Sequence, residues 1–231
     1  MSNYHTILFD LDHTLWDYES NSRTTLLELY HHYGLYTLGV DSPEDFISTF
    51  EKINRELWDQ YDHGEIDRTY IKEKRFAFIF DMFSVRNNAL ALKISQEYIE
   101  ACPRKGKLLP HAMATLEYLS SKYQLGLITN GFEDVQSTKL ECAGIRNFFA
   151  EVVTSESTGW RKPSKEIFDY TLNLLNCTPE KALMIGDNLI TDIGGARKAR
   201  IDTAYYNPQE KPHTELVSYE INCLSKLQEL I

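Results

Sequence analysis

From residue 108 onward, short apolar runs alternate with amphipathic segments, and this alternation limits the possible folds more than any other feature of the chain. Runs such as LGLI at 125–128 and ALMI at 182–185 have the length and composition of buried strands. The segments between such runs repeat apolar residues at helical spacing. Strands that alternate with helices pair in parallel through right-handed crossovers. The sequence therefore predicts an α/β fold with a doubly wound parallel sheet.

A different pattern interrupts this alternation after the first strand. The run YHTILF at 4–9 predicts that strand, whereas residues 16–105 show helical spacing, with loops near 34–43, 63–64 and 84–88. We therefore predict an all-helical domain at 16–107, inserted into an α/β core at 1–15 and 108–231. The remaining predicted core strands span 125–128, 150–154, 182–185, 203–206 and 219–221. The predicted core helices span 110–123, 134–143, 164–175 and 191–200.

Composition and charge narrow the classes of partner. The chain has 231 residues and a net charge of -10, which argues against a nucleic-acid polymer as partner, because such binding needs many Lys and Arg residues on phosphates. The four cysteines lack zinc-site spacing and are expected to be reduced thiols. Neither a signal peptide nor an apolar run long enough for a membrane span is recognisable. We expect a cytoplasmic protein with no membrane partner.

Polar residues with related chemistry follow four of the predicted strands. They are DLDHT at 10–14, TNG at 129–131, RKP at 161–163 and GDN at 186–188, with Asp192 one turn later. In an open parallel sheet, ligands bind beyond the carboxyl ends of the strands, so these segments are expected to meet at one edge. Carboxylates, a hydroxyl, a lysine and glycines together are typical of a site for a divalent cation and a phosphate.

These segments resemble the four motifs of the haloacid dehalogenase superfamily, mainly of its phosphatases. The matching residues are Asp10, Asp12 and Thr14 for DxDxT, Thr129 for the second motif, Lys162 with Pro163 for the third, and Gly186, Asp187 and Asp192 for GDxxxxD. The resemblance implies a Rossmann-like core. It also identifies the helical insert as a type 1 cap domain that closes over the site. Arg200 departs from the pattern, since relatives often carry Gly there, but this position concerns a helix end.

The resemblance implies distinct roles for the two carboxylates of the first motif. Asp10 is identified as the nucleophile that forms an aspartyl-phosphate. Asp12 is identified as the general acid that protonates the leaving group and then as the base that activates water. Because that role needs a protonated Asp12 when substrate binds, we predict a raised pKa for Asp12.

The resemblance also implies a metal and a phosphate site. Mg²⁺ is expected to be bound by the Asp10 carboxylate, the Asp12 backbone carbonyl and the Asp187 carboxylate. The expected ligands of the phosphate oxygens are Thr129, the Asn130 amide and Lys162. Asp192 is expected to hold a metal-bound water or to orient Lys162. Asn188 is a further candidate close to the metal, with a plain turn asparagine as the alternative.

The substrate class is predicted from Asp12 and from two further likenesses. Dehalogenases of the family lack the second Asp, so Asp12 indicates phosphoryl transfer. Segments 53–64 and 128–132 are similar to nucleoside 5'-monophosphate phosphatases, especially the pyrimidine and non-standard nucleotidases. Trp16, Trp58 and Phe132 are candidates for stacking on a base, with core packing as the alternative. We therefore expect a small phosphate monoester as substrate and a monomer or homodimer as the assembly.

Other readings stay open at this point. Acylneuraminate 9-phosphatases are the nearest competitor among phosphatases. A phosphomutase or a phosphonatase could use the same scaffold, although a phosphonatase needs an extra cap lysine, and Lys52, Lys72 and Lys74 have no special context. A phosphoaspartate regulatory module is the non-enzymatic alternative. Asp12 favours turnover over signalling, because a general base would hydrolyse the phosphoaspartate.

Overall fold

The computed structural model describes residues 4–231 and divides the chain into two compact units. The first unit contains the residues up to Tyr18 together with Gly106–Ile231, and the second unit is Glu19–Lys105. Residues 16–18 and 106–107, which we assigned to the helical insert, therefore belong to the first unit.

Backbone pairing explains where the first unit ends. Trp16 forms isolated β-bridges with Asp12 and with Leu108. The N–H of Asp17 donates to the carbonyl of Lys107 at 3.1 Å. These contacts join the segment after the first strand to the segment at which the core resumes, and apolar spacing alone does not reveal them.

The second unit is helical. Its helices are α1 (Tyr18–His32, beginning on the last residue of the first unit), α2 (Pro43–Asp62), α3 (Arg68–Met82) and α4 (Asn88–Ala101). Side chains that accept a backbone N–H begin three of these helices: Ser42, Asp67 and Asn87. α3 packs against both α2 and α4 around buried aromatic rings that include Phe46, Phe50 and Phe76. The helical character predicted for this part of the chain is confirmed.

The first unit is built on a parallel sheet. Its strands are β1 (Thr6–Phe9), β2 (Gln124–Thr129), β3 (Glu151–Thr154), β4 (Ala182–Gly186), β5 (Asp202–Tyr206) and β6 (Tyr219–Ile221). Within residues 4–231 they form one six-stranded sheet, all parallel, in the order β3-β2-β1-β4-β5-β6. This confirms the predicted doubly wound fold. The chain order reverses beside β1, and the carboxyl ends of the strands at such a reversal are where these folds bind ligands.

The helices of the first unit are α5 (Ala112–Ser120), α6 (Glu133–Cys142), α7 (Ser155–Thr158), α8 (Lys165–Leu174), α9 (Gly195–Lys198) and α10 (Leu227–Leu230). The helices α5 to α9 lie between its strands in sequence, and α10 follows β6. Apolar side chains of α8 and α9 pack with those of the sheet, for example Phe168 with Ile128 and Met184 in one buried cluster. This packing holds the strand ends in fixed positions relative to one another.

The segment after β4 differs from the prediction. We predicted one helix over 191–200, whereas the structure has a π-helical stretch, Leu189–Gly194, followed by the single turn of α9. The Asn188 side chain accepts two backbone N–H groups of the next turn, at 2.9 and 3.0 Å. The Asp192 carboxylate accepts the N–H of Asn188 at 3.0 Å. These side-chain hydrogen bonds determine the shape of the turn at Asn188. π-Helical turns of this kind recur at functional sites.

The cysteines are free thiols, as predicted. Cys102 is buried, Cys142 is exposed, and Cys177 and Cys223 are partly buried. On a separate point, none of the helices in residues 4–231 has both the length and the apolar character that crossing a membrane requires.

Candidate active site

Lys162 brings three of the four sequence motifs together at the carboxyl edge of the sheet. Its Nζ donates to Asp10 Oδ1 and to Asp192 Oδ1, both at 2.6 Å. Asp10 directly follows β1, and Asp192 lies in the turn that follows β4. Lys162 and Asp192 are almost fully buried, and Asp10 is buried as well. Both ion pairs are therefore formed away from bulk water.

Three carboxylates converge beside Lys162. One oxygen each of Asp10, Asp187 and Asp192 can be chosen so that all three lie within 4.8 Å of one another. Burial raises the pKa of Asp10 to about 8, with Lys162 opposing the shift and the two neighbouring carboxylates adding to it. Burial and the charge of Asp192 raise the pKa of Asp187 to about 7. Once all three carboxylates are ionised, the cluster carries more negative charge than Lys162 balances.

Lys162 itself stays charged. Burial on its own would lower the pKa of Lys162, but the charges of Asp10 and Asp192 outweigh burial and raise that pKa above its usual value. A permanently protonated lysine at this position fixes one positive charge between two carboxylates.

The turn after β4 places the other two acidic groups. Thr14 is fully buried and donates its hydroxyl to Asp187 Oδ1 at 3.1 Å. A Cβ on Gly186 would lie 2.3 Å from Asp192 Oδ2, a distance that real Cβ atoms do not tolerate. Gly186 is therefore required for the position of Asp192, which is a physical reason for the glycine of the fourth motif.

The second motif is tied to the third through Asn130. The Lys162 N–H donates to Asn130 Oδ1 at 2.8 Å, and Asn130 Nδ2 donates to the Lys162 carbonyl at 2.9 Å. Ser155 at the start of α7 donates its hydroxyl to the Asn130 carbonyl at 3.0 Å. The Asn130 side chain thus holds the backbone of Lys162 in place, a function that the sequence alone did not indicate.

The Thr129 hydroxyl is oriented by two donors. Its Oγ1 accepts the Gly131 N–H at 3.0 Å and Gln136 Nε2 at 2.7 Å. A hydroxyl has two acceptor lone pairs and one proton, so these two bonds leave its proton to be donated. The buried Thr129 is therefore prepared to donate a hydrogen bond to an anion.

The predicted raised pKa of Asp12 is wrong for the structure as it stands. Lys139 Nζ lies 2.6 and 2.8 Å from the two Asp12 oxygens, and Gln136 Nε2 donates to Asp12 Oδ2 at 3.0 Å. Burial on its own would raise the pKa of Asp12, but Lys139 and Gln136 favour the carboxylate and lower it below the usual value. The prediction failed because both partners lie on α6, far from Asp12 in sequence.

The three aromatic candidates differ in accessibility. Trp16 is fully buried, and Lys139 Nζ lies 4.5 Å from its ring centroid, so the structure does not support Trp16 as a base-stacking residue. Phe132, just before α6, is also buried. Trp58 is partly exposed on α2 and makes an edge-to-face contact with Tyr61. Roles of Phe132 and Trp58 in substrate binding stay predictions.

Sequence reasoning missed two members of the site, Gln136 and Lys139. Both lie on α6 and both are buried, although they are polar. The available signal was their spacing, because residues three apart share a helix face. The apolar Leu140 marks that face as the buried one. A lysine on the buried face of a helix that follows a motif strand is a candidate partner for a motif carboxylate.

Comparison with known proteins agrees with this geometry. A profile of the family described as haloacid dehalogenase-like hydrolase matches residues 7–206. The pyrimidine 5'-nucleotidase YjjG of Escherichia coli is 31% identical over 228 residues, which cover 97% of this chain and 96% of that protein. A glyceraldehyde 3-phosphate phosphatase of Methanothermobacter thermautotrophicus is 28% identical over 235 residues, covering 97% and 96%.

The similarity extends to a solved structure. The crystal structure of the hydrolase YfnB of Bacillus subtilis, described as bound to magnesium, matches with a TM-score of 0.87 and 28% identity. The match covers 98% of this chain and 98% of that chain.

Proposed function

This chain belongs to the haloacid dehalogenase-like hydrolase family, and on that premise we propose that it is a Mg²⁺-dependent phosphatase of nucleoside 5'-monophosphates that acts through an aspartyl-phosphate. The observation that carries the proposal is the buried ion pair of Lys162 with Asp10 and Asp192, formed within a cluster of three carboxylates. Phosphoryl transfer to Asp10 requires a nucleophilic carboxylate, a fixed positive charge and a metal-binding site in one place.

The donor set fits Mg²⁺. All candidate ligand atoms are oxygens, which Mg²⁺ prefers. Burial and the neighbouring carboxylates raise the pKa values of Asp10 and Asp187, and a bound dication would oppose that shift by favouring the ionised forms. We assign Mg²⁺ to the carboxylates of Asp10 and Asp187 and to the backbone carbonyl of Asp12. When bound, Mg²⁺ supplies charge neutralisation between Asp10 and the phosphate oxygens. Asp192 already accepts from Lys162 and Asn188, so we assign it to orienting Lys162.

The proposed reaction consists of two successive displacements at phosphorus. In the first, an Asp10 oxygen bonds to phosphorus while the bond from phosphorus to the leaving oxygen breaks, and Asp12 gives a proton to that oxygen. In the second, water attacks phosphorus, Asp12 takes its proton, and the bond to Asp10 breaks. Thr129 and Lys162 hold phosphate oxygens throughout, which stabilises charge in both transition states.

The lowered pKa of Asp12 is compatible with its role as the acid. The phosphate of a substrate places negative charge near Asp12, and a like charge raises the pKa of a carboxylate. Asp12 is therefore expected to become a proton donor only when substrate is present.

The nucleotide substrate is supported by the 31% identity to YjjG, a pyrimidine 5'-nucleotidase. A sugar-phosphate phosphatase is the second candidate, supported by the 28% identity to a glyceraldehyde 3-phosphate phosphatase over nearly the same length. Both candidates use the same chemistry and differ only in the leaving group. A cytoplasmic location stays a prediction.

Phosphate release from a panel of substrates tests the proposal. The panel contains nucleoside 5'-monophosphates, sugar phosphates and p-nitrophenyl phosphate, assayed with Mg²⁺ and with EDTA, for wild type and Asp10→Asn. We expect Mg²⁺-dependent release that is fastest for a nucleotide and abolished by Asp10→Asn. A sugar phosphate ranking first would replace the substrate assignment. No release from any substrate would contradict the phosphatase assignment and favour a mutase or a regulatory module.

A further inference from the structure

We propose that Gln136 and Lys139 of α6 are positioning residues that hold the Asp12 carboxylate and couple it to Thr129. The inference rests on the proposed function, because it assigns a role that acts through the general acid and base. The set of Gln136, Lys139, Asp12 and Thr129 is called the α6 clamp below.

Lys139 binds Asp12 through both carboxylate oxygens, at 2.6 and 2.8 Å. Its side chain is only 6% exposed, and Nζ lies 4.5 Å from the ring centroid of Trp16 and 5.8 Å from that of Tyr18. An ammonium over aromatic faces has few directions left in which to move. The charge-assisted bonds from Lys139 hold the position of the carboxylate, and the additional bond from Gln136 to Asp12 Oδ2 limits its rotation.

Gln136 joins the two functional groups. It is fully buried, and its Nε2 donates one proton to Asp12 Oδ2 at 3.0 Å and the other to Thr129 Oγ1 at 2.7 Å. Both amide protons are thus used on residues of the proposed mechanism. A rotation of the Asp12 carboxylate would therefore disturb the amide that orients the phosphate-binding hydroxyl.

The backbone next to the clamp is adapted to it. A Cβ on Gly131 would lie 2.1 Å from Gln136 Nε2, so the glycine after Asn130 makes room for the amide. Gln136 Oε1 is buried and has no hydrogen-bond partner among residues 4–231. An unpaired buried acceptor lowers stability. In the part of the chain that the structure describes, the amide protons of Gln136 and not its oxygen therefore make the contacts of the clamp.

The lysine is also a poor choice for stability alone. Replacing a buried ion pair by apolar side chains of similar volume is often neutral or stabilising, so a buried lysine–carboxylate pair is weak evidence for a stabilising role. Positioning explains the arrangement better, because small displacements of a catalytic group cost much of its rate. The α6 clamp is thus expected to matter in the steps that use Asp12.

The test separates positioning from structure through the leaving group. p-Nitrophenolate leaves without a proton, whereas a nucleoside leaving group needs the proton of Asp12. We would measure the rate of aspartyl-phosphate formation in a single turnover with each substrate. The variants are Lys139→Met, Lys139→Arg and Gln136→Met, each also combined with Asp12→Asn. Lys122→Met is the matched control, since Lys122 lies 3.9 Å from the ring centroid of Tyr118 but is exposed and follows the last residue of α5 by two positions.

We expect Lys139→Met to slow phosphorylation by the nucleotide by about 10- to 100-fold, a part of what general acid catalysis contributes. The rate with p-nitrophenyl phosphate should change little. Lys139→Arg should recover only part of the loss, because it keeps the charge but places a larger planar guanidinium in a buried site that holds an ammonium. In the Asp12→Asn background the effect of Lys139→Met should vanish. Lys122→Met should match wild type with both substrates.

Several outcomes would overturn the inference. Equal losses with both substrates, or an undiminished loss in the Asp12→Asn background, would show that Lys139 acts through the fold and not through Asp12. Wild-type rates in Lys139→Met would exclude the α6 clamp while leaving the phosphatase assignment intact. If Lys139→Met does not fold, Gln136→Met decides in the same way. No phosphate release by the wild type would remove both the proposed function and the inference.

Discussion

Lys162 is the residue on which the charge balance of the site depends. It lies between Asp10 and Asp192, and the three carboxylates of the cluster leave negative charge in excess. Its distance of 2.6 Å from Asp10 means that it lowers the electrostatic cost of bringing an anionic phosphate to an anionic nucleophile. The same contact is a buried ion pair, so its loss is expected to affect stability as well as rate.

Replacing Lys162 by Met tests this dual role. We expect a loss of about 10²–10³-fold in kcat, as for removal of one preorganised donor, together with a loss of about 3–5 kcal/mol in unfolding free energy because two buried carboxylates lose their cation. Steady-state kinetics and urea unfolding measure the two effects. Lys165→Met is the control, since Lys165 pairs with Asp169 in solvent, and exposed pairs contribute little. A Lys162→Met enzyme with wild-type kcat would contradict the assignment.

The residues of the four motifs could be predicted from the sequence, but their partners could not. Asp10, Lys162 and Asp192 follow strands whose ends meet at one edge, so the ion pairs follow from topology. The contact of Lys139 with Asp12 depends on the rotation of α6 about its axis and on the length of one side chain. Single-sequence periodicity gives the buried face of a helix but not the partner across from it. The pKa of Asp12 was therefore predicted in the wrong direction.

At the scale of elements, the turn between β4 and α9 carries residues of the candidate site, and its conformation differs from the prediction. The run ALMI predicted β4 correctly, because a buried strand needs little beyond apolar residues. The π-helical stretch that follows was predicted as ordinary helix, since its shape depends on side-chain bonds to Asn188. Gly186 connects the two, because its missing Cβ leaves space for Asp192.

Two glycine-to-alanine changes in the same sheet distinguish effects on the candidate site from effects on the core. Gly186→Ala places a Cβ 2.3 Å from Asp192 Oδ2, so we expect about a 100-fold loss of kcat from displacement of Asp192 and Lys162. Gly126→Ala, in β2, places a Cβ 2.7 Å from Leu175 and 2.9 Å from Leu8. That overpacking should cost about 1–3 kcal/mol of unfolding free energy and leave kcat unchanged. Steady-state kinetics and thermal unfolding of both variants measure these effects. Equal losses of kcat in the two variants would contradict the assignment of Gly186 to the site and of Gly126 to the core.

At the scale of the whole molecule, each of the two units has its own buried core, and the class of each was predictable from periodicity. The difference at residues 16–18 and 106–107 arose because β-bridges at Trp16 are not encoded in apolar spacing. The acidic cluster acts on the stability of the first unit as well as on its chemistry. Asp187, with a pKa of about 7 in the folded protein, is ionised in the unfolded chain at much lower pH.

The pH dependence of stability follows with a definite sign. A raised pKa in the folded state means that the folded protein binds more protons than the unfolded chain between about pH 4 and pH 7, so Asp187 lowers the unfolding free energy as pH rises through that window. We expect Asp187→Asn to gain stability over wild type in EDTA, by at most about 1.4 kcal/mol per pH unit. Urea unfolding of both proteins across this range measures the difference. A stability difference that does not grow with pH would contradict the raised pKa, and added Mg²⁺ should stabilise wild type but not the variant.

Trapping the phosphate on Asp10 tests the proposed aspartyl-phosphate chemistry directly. Wild type is mixed with a nucleoside 5'-monophosphate and Mg²⁺, quenched in acid within one turnover, digested and examined by mass spectrometry. We predict a phosphate adduct on the peptide that contains Asp10, present in Asp12→Asn with p-nitrophenyl phosphate and absent from Asp10→Asn. Phosphate release without any such adduct, or an adduct that persists in Asp10→Asn, would contradict that chemistry.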